Sequence, residues 1–179
     1  MSKNNKRRIS RAGTLHKHQL YEYSVQCPEA EVDFIEHTFK RFRKRSARLL
    51  REDFCGTAAV SCEWVRRHSR NRAIGVDLDK EVLEWGSKHH LARLGKAQQR
   101  RVTLHNRNVL AVKTEKADAI AAMNFSYWLF KERDTLKRYF KRACKSLTDD
   151  GMLFLDAYGG YEAFQEVTEE RELSLIHIS

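Results

Sequence analysis

Proline is nearly missing: Pro28 is the only one in 179 residues. The chain therefore has no proline-rich linker and no polyproline recognition segment. No apolar run approaches the roughly 20 residues a membrane-spanning helix needs, so a helical span is excluded. The basic start "MSKNNKRRISRAG" leads into no apolar stretch and is not a secretory signal. Internal repeats are absent as well. The four cysteines, Cys27, Cys55, Cys62 and Cys144, are scattered, with neither metal-ligand spacing nor a paired framework. They read as free thiols in a reducing cytoplasm, which is where the protein is placed. His89 and His90 are neighbours on a helix and point in different directions, so no metal site is assigned.

What is present suits one domain with a real core: 41% of residues are hydrophobic and 32% are charged. The net charge of +10 gathers in "NNKRRISR" and "FKRFRKRSAR". Lysine and arginine at that density can serve phosphate binding. The N-terminal arm, however, has no interleaved aromatic residues to stack bases. Solubility and a solvated helix face are the preferred account, and a small-molecule partner is preferred to nucleic acid or membrane.

Periodicity divides the chain into alternating helices and strands. In "EAEVDFIEHTFKRF", Val32, Ile35, Phe39 and Phe42 form one helical stripe, and Pro28 suits its first turn. "ARLLREDF" reads as a first strand. "TAAVSCEWVRRH" reads as a helix with Val60, Trp64 and His68 on one side, and "RAIGVDLD" as a second strand. Asp79 can cap the helix "KEVLEWGSKHHLARLG", which Gly95 ends. "RVTLHNRNVL" and "ADAIAAMNFSYW" supply the third and fourth strands, with Asp118 as a turn residue ahead of the latter. "ERDTLKRYFKRACKSL" is a helix with Leu136, Tyr139, Phe140, Ala143 and Leu147 inward, and "GMLFLDAYGG" is a fifth strand. This alternation predicts an α/β fold: a mostly parallel sheet with crossover helices on both faces. Ligands bind beyond the carboxyl ends of such strands.

Those ends carry polar or small residues where the apolar runs stop: "EDFCGTA", "DLD", "NRNVL", "NFSYW" and "DAYGG". A strand, a small-residue turn and a helix start form a site for a ligand that touches backbone amides. Gly56 permits close approach, and Thr57 and Ala58 keep the helix start small. Asp77 ends the second strand about 20 residues later, where an acid can accept from both hydroxyls of a ribose. Cys55 reads as a packing residue, since no histidine-containing partner motif accompanies it. Tyr127 and Trp128 either line a substrate pocket or cover the end of the sheet.

"LLREDFCGTAAVSCEWV", "GVDLD", "RNVL" and "NFSYWLFKERDTLKRYFKRACKSLTDDGMLFLDAYGG" resemble a class I S-adenosylmethionine-dependent methyltransferase, in the subgroup whose first motif is "REDFCGTA". The similarity runs from about Tyr21 to Gly160. It implies a Rossmann-like sheet of seven strands with S-adenosyl-L-methionine over the ends of the first two. Glu52 matches the acid that opens the first motif, and Cys55, Gly56 and Thr57 match the core around the methionine part. Asp77 matches the ribose acid, with Leu78 packing on the adenine. Asn108 stands where an aspartate often reads the adenine amino group, Val109 lies beside the ring, and Asn124 faces the sulfonium. The common motif has glycines at Phe54 and Ala58, so this loop is bulkier, and both residues belong to the same cofactor-binding set. No catalytic residue is assigned, since methyl transfer from a sulfonium runs on alignment and a dry pocket. An oxidoreductase on a similar fold would want GxGxxG after the first strand, which "DFCGTA" lacks. The remaining alternative is a non-catalytic domain that binds a cofactor or nucleic acid.

The resulting division is a disordered basic arm at 1–15, a methyltransferase domain at 16–172 and a tail at 173–179. The domain has a helical lid at about 16–46 and a core at 47–172. The tail, "LSLIHIS", resembles a translated sequencing adapter, so the chain is expected to be a fragment that lacks the last strands of the sheet.

Overall fold

The computed structural model describes residues 27–157 and 159. The basic arm, the first part of the lid and the seven-residue tail lie outside them. The described elements run α1 (Pro28–Arg43), β1 (Leu49–Asp53), α2 (Ala59–Arg67), β2 (Arg72–Asp77), α3 (Lys80–His89), α4 (Lys96–Gln99), β3 (Val102–Asn106), β4 (Ala117–Ala122), α5 (Arg133–Ser146) and β5 (Leu147–Leu155). Short 3₁₀ turns at Leu91–Arg93 and Ser126–Leu129 complete the set.

All five strands are parallel, in the order β3-β2-β1-β4-β5. β1 is central and buried along its whole length. Its side chains alternate, and each face meets a different layer of helices. Leu50 joins Val32, Ile35 and Phe39 of α1, Val60 and Trp64 of α2, and Phe154 of β5. Leu49 joins Ile74, Val76 and Ile120 of the sheet and Tyr139 and Ala143 of α5. The helix inside the expected lid is thus packed into the main core. The expected α/β sheet with helices on both faces is what the chain forms.

Local signals explain most boundaries. Pro28 occupies the first turn of α1, where its missing N–H costs nothing. Asp79 caps α3 by accepting from the Glu81 and Val82 amides at 2.9 and 3.3 Å.

Several expectations need correction. Phe42 is 61% exposed, because cations hold the end of α1 in place of apolar packing: Arg43 donates to the Asp150 carbonyl at 2.6 Å. His68 is exposed and lies past the end of α2. Gly95 has φ −62 and precedes α4, where its amide donates to Gln98 Oε1 at 3.0 Å. The helix before it has already ended at His89. β3 stops at Asn106, because the Asn108 side chain accepts from the Leu110 amide at 2.8 Å and turns the chain. Left-handed Asn124 and Phe125 follow the end of β4. Asp118 lies inside β4, buried, and accepts from the Arg48 and Leu49 amides at 2.7 and 3.0 Å. Although burial opposes ionisation there, these amides and Arg45 hold its carboxyl below the ordinary value.

Candidate cofactor site

The turn after β1 alternates in handedness. Phe54, Gly56 and Ala58 have φ of 59°, 52° and 59°. A left-handed residue other than glycine costs roughly 1–2 kcal/mol. Phe54 and Ala58 therefore keep the backbone that glycines would give, at the expense of strain. Packing and hydrogen bonds hold it. Phe54 packs at a tilt against Phe130 and Tyr139 at centroid distances of 5.7 and 5.8 Å, and Ala58 is buried with Cys55 and Leu83. The Cys55 amide donates to the Val76 carbonyl at 3.1 Å, and the Ala58 amide to the Cys55 carbonyl at 2.7 Å.

Three glycines divide the labour around this turn. A Cβ on Gly56 would meet nothing within 4 Å, so its α-carbon faces open space. A Cβ on Gly75 would come within 2.9 Å of Cys55 Sγ, and one on Gly86 within 2.1 Å of the Thr57 carbonyl oxygen. Gly75 makes room for Cys55, and Gly86 lets α3 touch the turn. Sequence reading assigned neither. The signal for Gly86 was a glycine in the middle of an otherwise good helix, "EWGSK". Cys55 is buried, which pushes its thiol well above the ordinary value and suits packing rather than attack.

Asp77 is already engaged. Its Oδ2 accepts from the Gly56 amide at 2.8 Å and its Oδ1 from the Asp79 amide at 2.9 Å. It clamps the glycine turn to the end of β2, and each oxygen keeps a second lone pair for a ligand. Leu78 follows it, 66% exposed. The polar residue level with Asp77 on β3 is Asn106, not Asn108: Asn106 Nδ2 donates to the Asp77 and Leu78 carbonyls at 3.2 and 2.7 Å. Asn108 is exposed in the following turn, and Val109 is buried in the core beside α5.

Acids surround the turn. Glu52 is buried, and its Oε2 accepts from the Ser61 amide at 2.9 Å and the Ser61 hydroxyl at 2.5 Å. Ala58 offers α2 no side-chain cap, so Glu52 supplies one from the neighbouring strand. Burial pushes its carboxyl up to about 8, and the charges of Glu31 and Asp77 add to the rise. Glu31, in the first turn of α1, is raised to about 7 by burial and by Asp156. Asp156 follows β5 and accepts from the Asn124 and Phe125 amides at 2.8 and 2.9 Å. It thereby holds the two left-handed residues beyond β4. Asp77 at the end of β2 and Asp156 after β5 bring two carboxylates to this end of the sheet, a setting for a cationic ligand, while burial holds Glu52 and Glu31 toward their neutral forms.

The far face of β1 holds a buried polar group that sequence reading missed. Arg51 Nε donates to Asp53 Oδ1 at 2.7 Å, and the Tyr139 hydroxyl of α5 donates to Asp53 Oδ2 at 3.1 Å. All three side chains are buried. Burial raises the Asp53 carboxyl, and Arg51 counters that rise. An open cleft of about 310 Å³ runs between α3 and β3, lined by Lys80, Leu83, Ser87, Leu104 and Asn106 among others. It contains none of the motif residues, so the strand ends, not the cleft, define the site.

Comparison with known proteins places the chain's fold and family. Among curated proteins nothing matches the chain. Among solved structures, the sugar N-methyltransferase from a Streptoalloteichus species shares 17% identity at a TM-score of 0.68, over 86% of this chain and 58% of that one. The amino pentose methyltransferase from Micromonospora echinaspora, solved with bound S-adenosylmethionine, shares 16% at 0.65, over 82% and 57%. An S-adenosylmethionine-dependent methyltransferase from Clostridium acetobutylicum shares 18% at 0.63, over 76% and 54%. The chain spans rather more than half the length of these structures, and at such identities they establish the Rossmann-like methyltransferase fold. The methyltransferase domain family matches residues 53–155, from the last residue of β1 to the last of β5. That stretch is more than half of the chain, and the protein belongs to the methyltransferase domain family.

Proposed function

We propose that the protein transfers a methyl group from S-adenosyl-L-methionine to an acceptor seated over the carboxyl ends of β4 and β5. The observation that carries this reading is the turn at Gly56. Its α-carbon opens onto free space, while the two other glycines that border the turn face packed atoms. A clamped, strained turn with one open glycine fits a ligand that approaches backbone closely. The donor and acceptor set fits as well. Asp77 has lone pairs left for ribose hydroxyls, Leu78 is an exposed apolar surface for a purine, and the acids suit an ammonium and a sulfonium.

The cofactor supplies an activated methyl group. The chain's own residues do the rest. Cys55, Gly56 and Thr57, between left-handed Phe54 and Ala58, would carry the methionine part, with the buried Glu52 carboxyl, bonded to Ser61, beneath it. Asp77 and Leu78 would hold the nucleoside, and exposed Asn108 would flank its base from beyond β3, while Val109, buried in the core, would not reach it. Asn124, fixed by Asp156, would border the reacting centre. Alignment and exclusion of water then suffice for an in-line displacement.

Calorimetry with S-adenosylhomocysteine and, separately, NADH tests the reading. Binding of the first and not the second is expected. Replacing Asp77 with alanine should weaken S-adenosylhomocysteine by about 2 kcal/mol, the value of a hydrogen bond to a charged group. It should also lower the melting temperature, since the Gly56 and Asp79 amides lose their acceptor. No heat and no thermal shift at millimolar S-adenosylhomocysteine would sink the proposal.

A further inference from the structure

The outer face of α5 has no role in the site described above, and its composition is unusual. Arg133, Lys137, Arg138, Lys141, Arg142 and Lys145 are all exposed, while Tyr139 and Ala143 on the other side are buried. The helix contains a single acid, Asp134, in its first turn. Several cations elsewhere are matched by acids. Arg45 meets Asp118 and Asp150, Arg67 meets Glu63 and Asp33, and Lys116 meets Asp149. Among the described residues no ion pair engages the six cations of α5.

That face works against the fold. Arg133 and Lys137, Lys137 and Lys141, Lys141 and Lys145, and Arg138 and Arg142 are like charges four residues apart, a spacing that destabilises a helix. A merely soluble helix would intersperse acids at those positions. An arrangement that is unfavourable alone becomes favourable against a polyanion, which exchanges its counterions for the protein's cations.

The surroundings select among polyanions. An interfacial membrane helix turns an apolar face to the lipid, and the apolar face of α5 is buried against the sheet. Along α5 itself no large apolar side chain is exposed among the cations, which disfavours a protein anchored on the helix. Immediately ahead of α5 in the chain, Trp128 is 49% exposed and packs on Phe125 with centroids 5.4 Å apart; exposed Lys131 and Arg133 follow. Aromatic surface beside a track of cations is the composition that binds single strands, by stacking bases and following phosphates. The N-terminal arm lacks that combination.

We propose that α5 is the docking face for a single-stranded nucleic acid, its phosphates along the helix and its bases toward Phe125 and Trp128. The helix is 14 residues long, about 21 Å at 1.5 Å per residue, enough for several nucleotides. The proposal does not rest on methyl transfer, and its RNA-binding measurement needs no cofactor.

Fluorescence anisotropy with an end-labelled, single-stranded RNA 20-mer of mixed sequence provides the test. Binding at 50 mM salt should weaken steeply by 200 mM. The variant K137E/K141E/K145E should lose at least tenfold in affinity at 100 mM salt. Its log–log salt slope should fall by about 2, the equivalent of three phosphate contacts on a single strand. Its S-adenosylhomocysteine affinity should match that of the unaltered chain, and K137Q/K141Q/K145Q replaces it if charge reversal impairs folding. Absence of binding at 50 mM salt overturns the proposal. So does binding unaffected by the substitutions, which would place the RNA on the N-terminal arm. Tighter binding to anionic vesicles than to RNA overturns it too. Binding that appears only after removal of the acid-rich residues 161–172 also overturns it, assigning the face to the chain's own segment.

Discussion

Gly86→Ala is the sharpest test of how the cofactor turn is held. In an open helix interior this change stabilises by about 1 kcal/mol, because alanine loses less backbone entropy on folding. Here the added Cβ would sit 2.1 Å from the Thr57 carbonyl oxygen, 2.6 Å from its carbonyl carbon and 2.8 Å from its α-carbon. Relief needs a shift of more than an ångström. The atoms in the way are backbone, and they belong to a turn pinned by the Asp77 carboxylate and by strain at Phe54 and Ala58. Overpacking into well-packed surroundings costs about 1–3 kcal/mol, and a contact this short with backbone belongs at the upper end. The net expectation is a loss of about 2 kcal/mol, which lowers the melting temperature by roughly 4–8 °C in a chain of this size. Urea and thermal unfolding measure it directly, and calorimetry should show weaker S-adenosylhomocysteine binding because Thr57 has moved. If Gly86→Ala is instead more stable by the ordinary 1 kcal/mol, the contact between α3 and the turn is not as described.

Two further outcomes follow from the charges on β1. Glu52 has a carboxyl near 8 in the folded protein against 4.5 when unfolded. The native state therefore keeps a proton that the unfolded chain releases, and this contribution to stability is lost as pH rises from about 4.5 to about 8. Glu52→Gln, which keeps an acceptor for Ser61, should flatten the dependence of melting temperature on pH across that window; parallel curves would refute it. Arg51→Leu leaves Asp53 buried without its cation and should cost about 3–5 kcal/mol, while R51L/D53L should recover most of that loss. Equal destabilisation of the single and double variants in urea would show that the pair is not coupled.

Much of the fold was legible because its signals are local. Pro28, the Asp79 cap and the inward positions of α5 each need only a few neighbouring residues to be read. Alternation of strand and helix then forces a parallel sheet. What escaped were features set by contacts distant in sequence. The end of β3 depends on an asparagine side chain turning back on its own backbone, which the apolar residues beyond it masked. Phe42 continues the α1 stripe in sequence, yet the cations at the end of that helix decide its exposure. In the site, the order of small and acidic residues marked Gly56 and Asp77 correctly as neighbours. It did not show that Asp77 spends one lone pair of each oxygen on the protein itself. Nor could it show that Asn106, rather than Asn108, lies level with it.

The charged residues of β1 look misplaced in a strand buried on both faces, where an apolar run is the rule. The pleat resolves the contradiction, because successive side chains leave on opposite sides. Glu52 goes to the α2 side and caps that helix at Ser61, just past the turn. Arg51 and Asp53 go to the α5 side, where Tyr139 closes the group. The residue that follows is Phe54, whose ring packs with those of Phe130 and Tyr139 while its backbone is left-handed. One short strand thus ties both helical layers to the start of the cofactor turn. A turn with left-handed phenylalanine and alanine needs such anchorage, since each raises the cost of its backbone. The buried charges and the bulky turn are therefore parts of one arrangement. They also tie α5 to β1 through Tyr139, on the side of the helix opposite its cationic face.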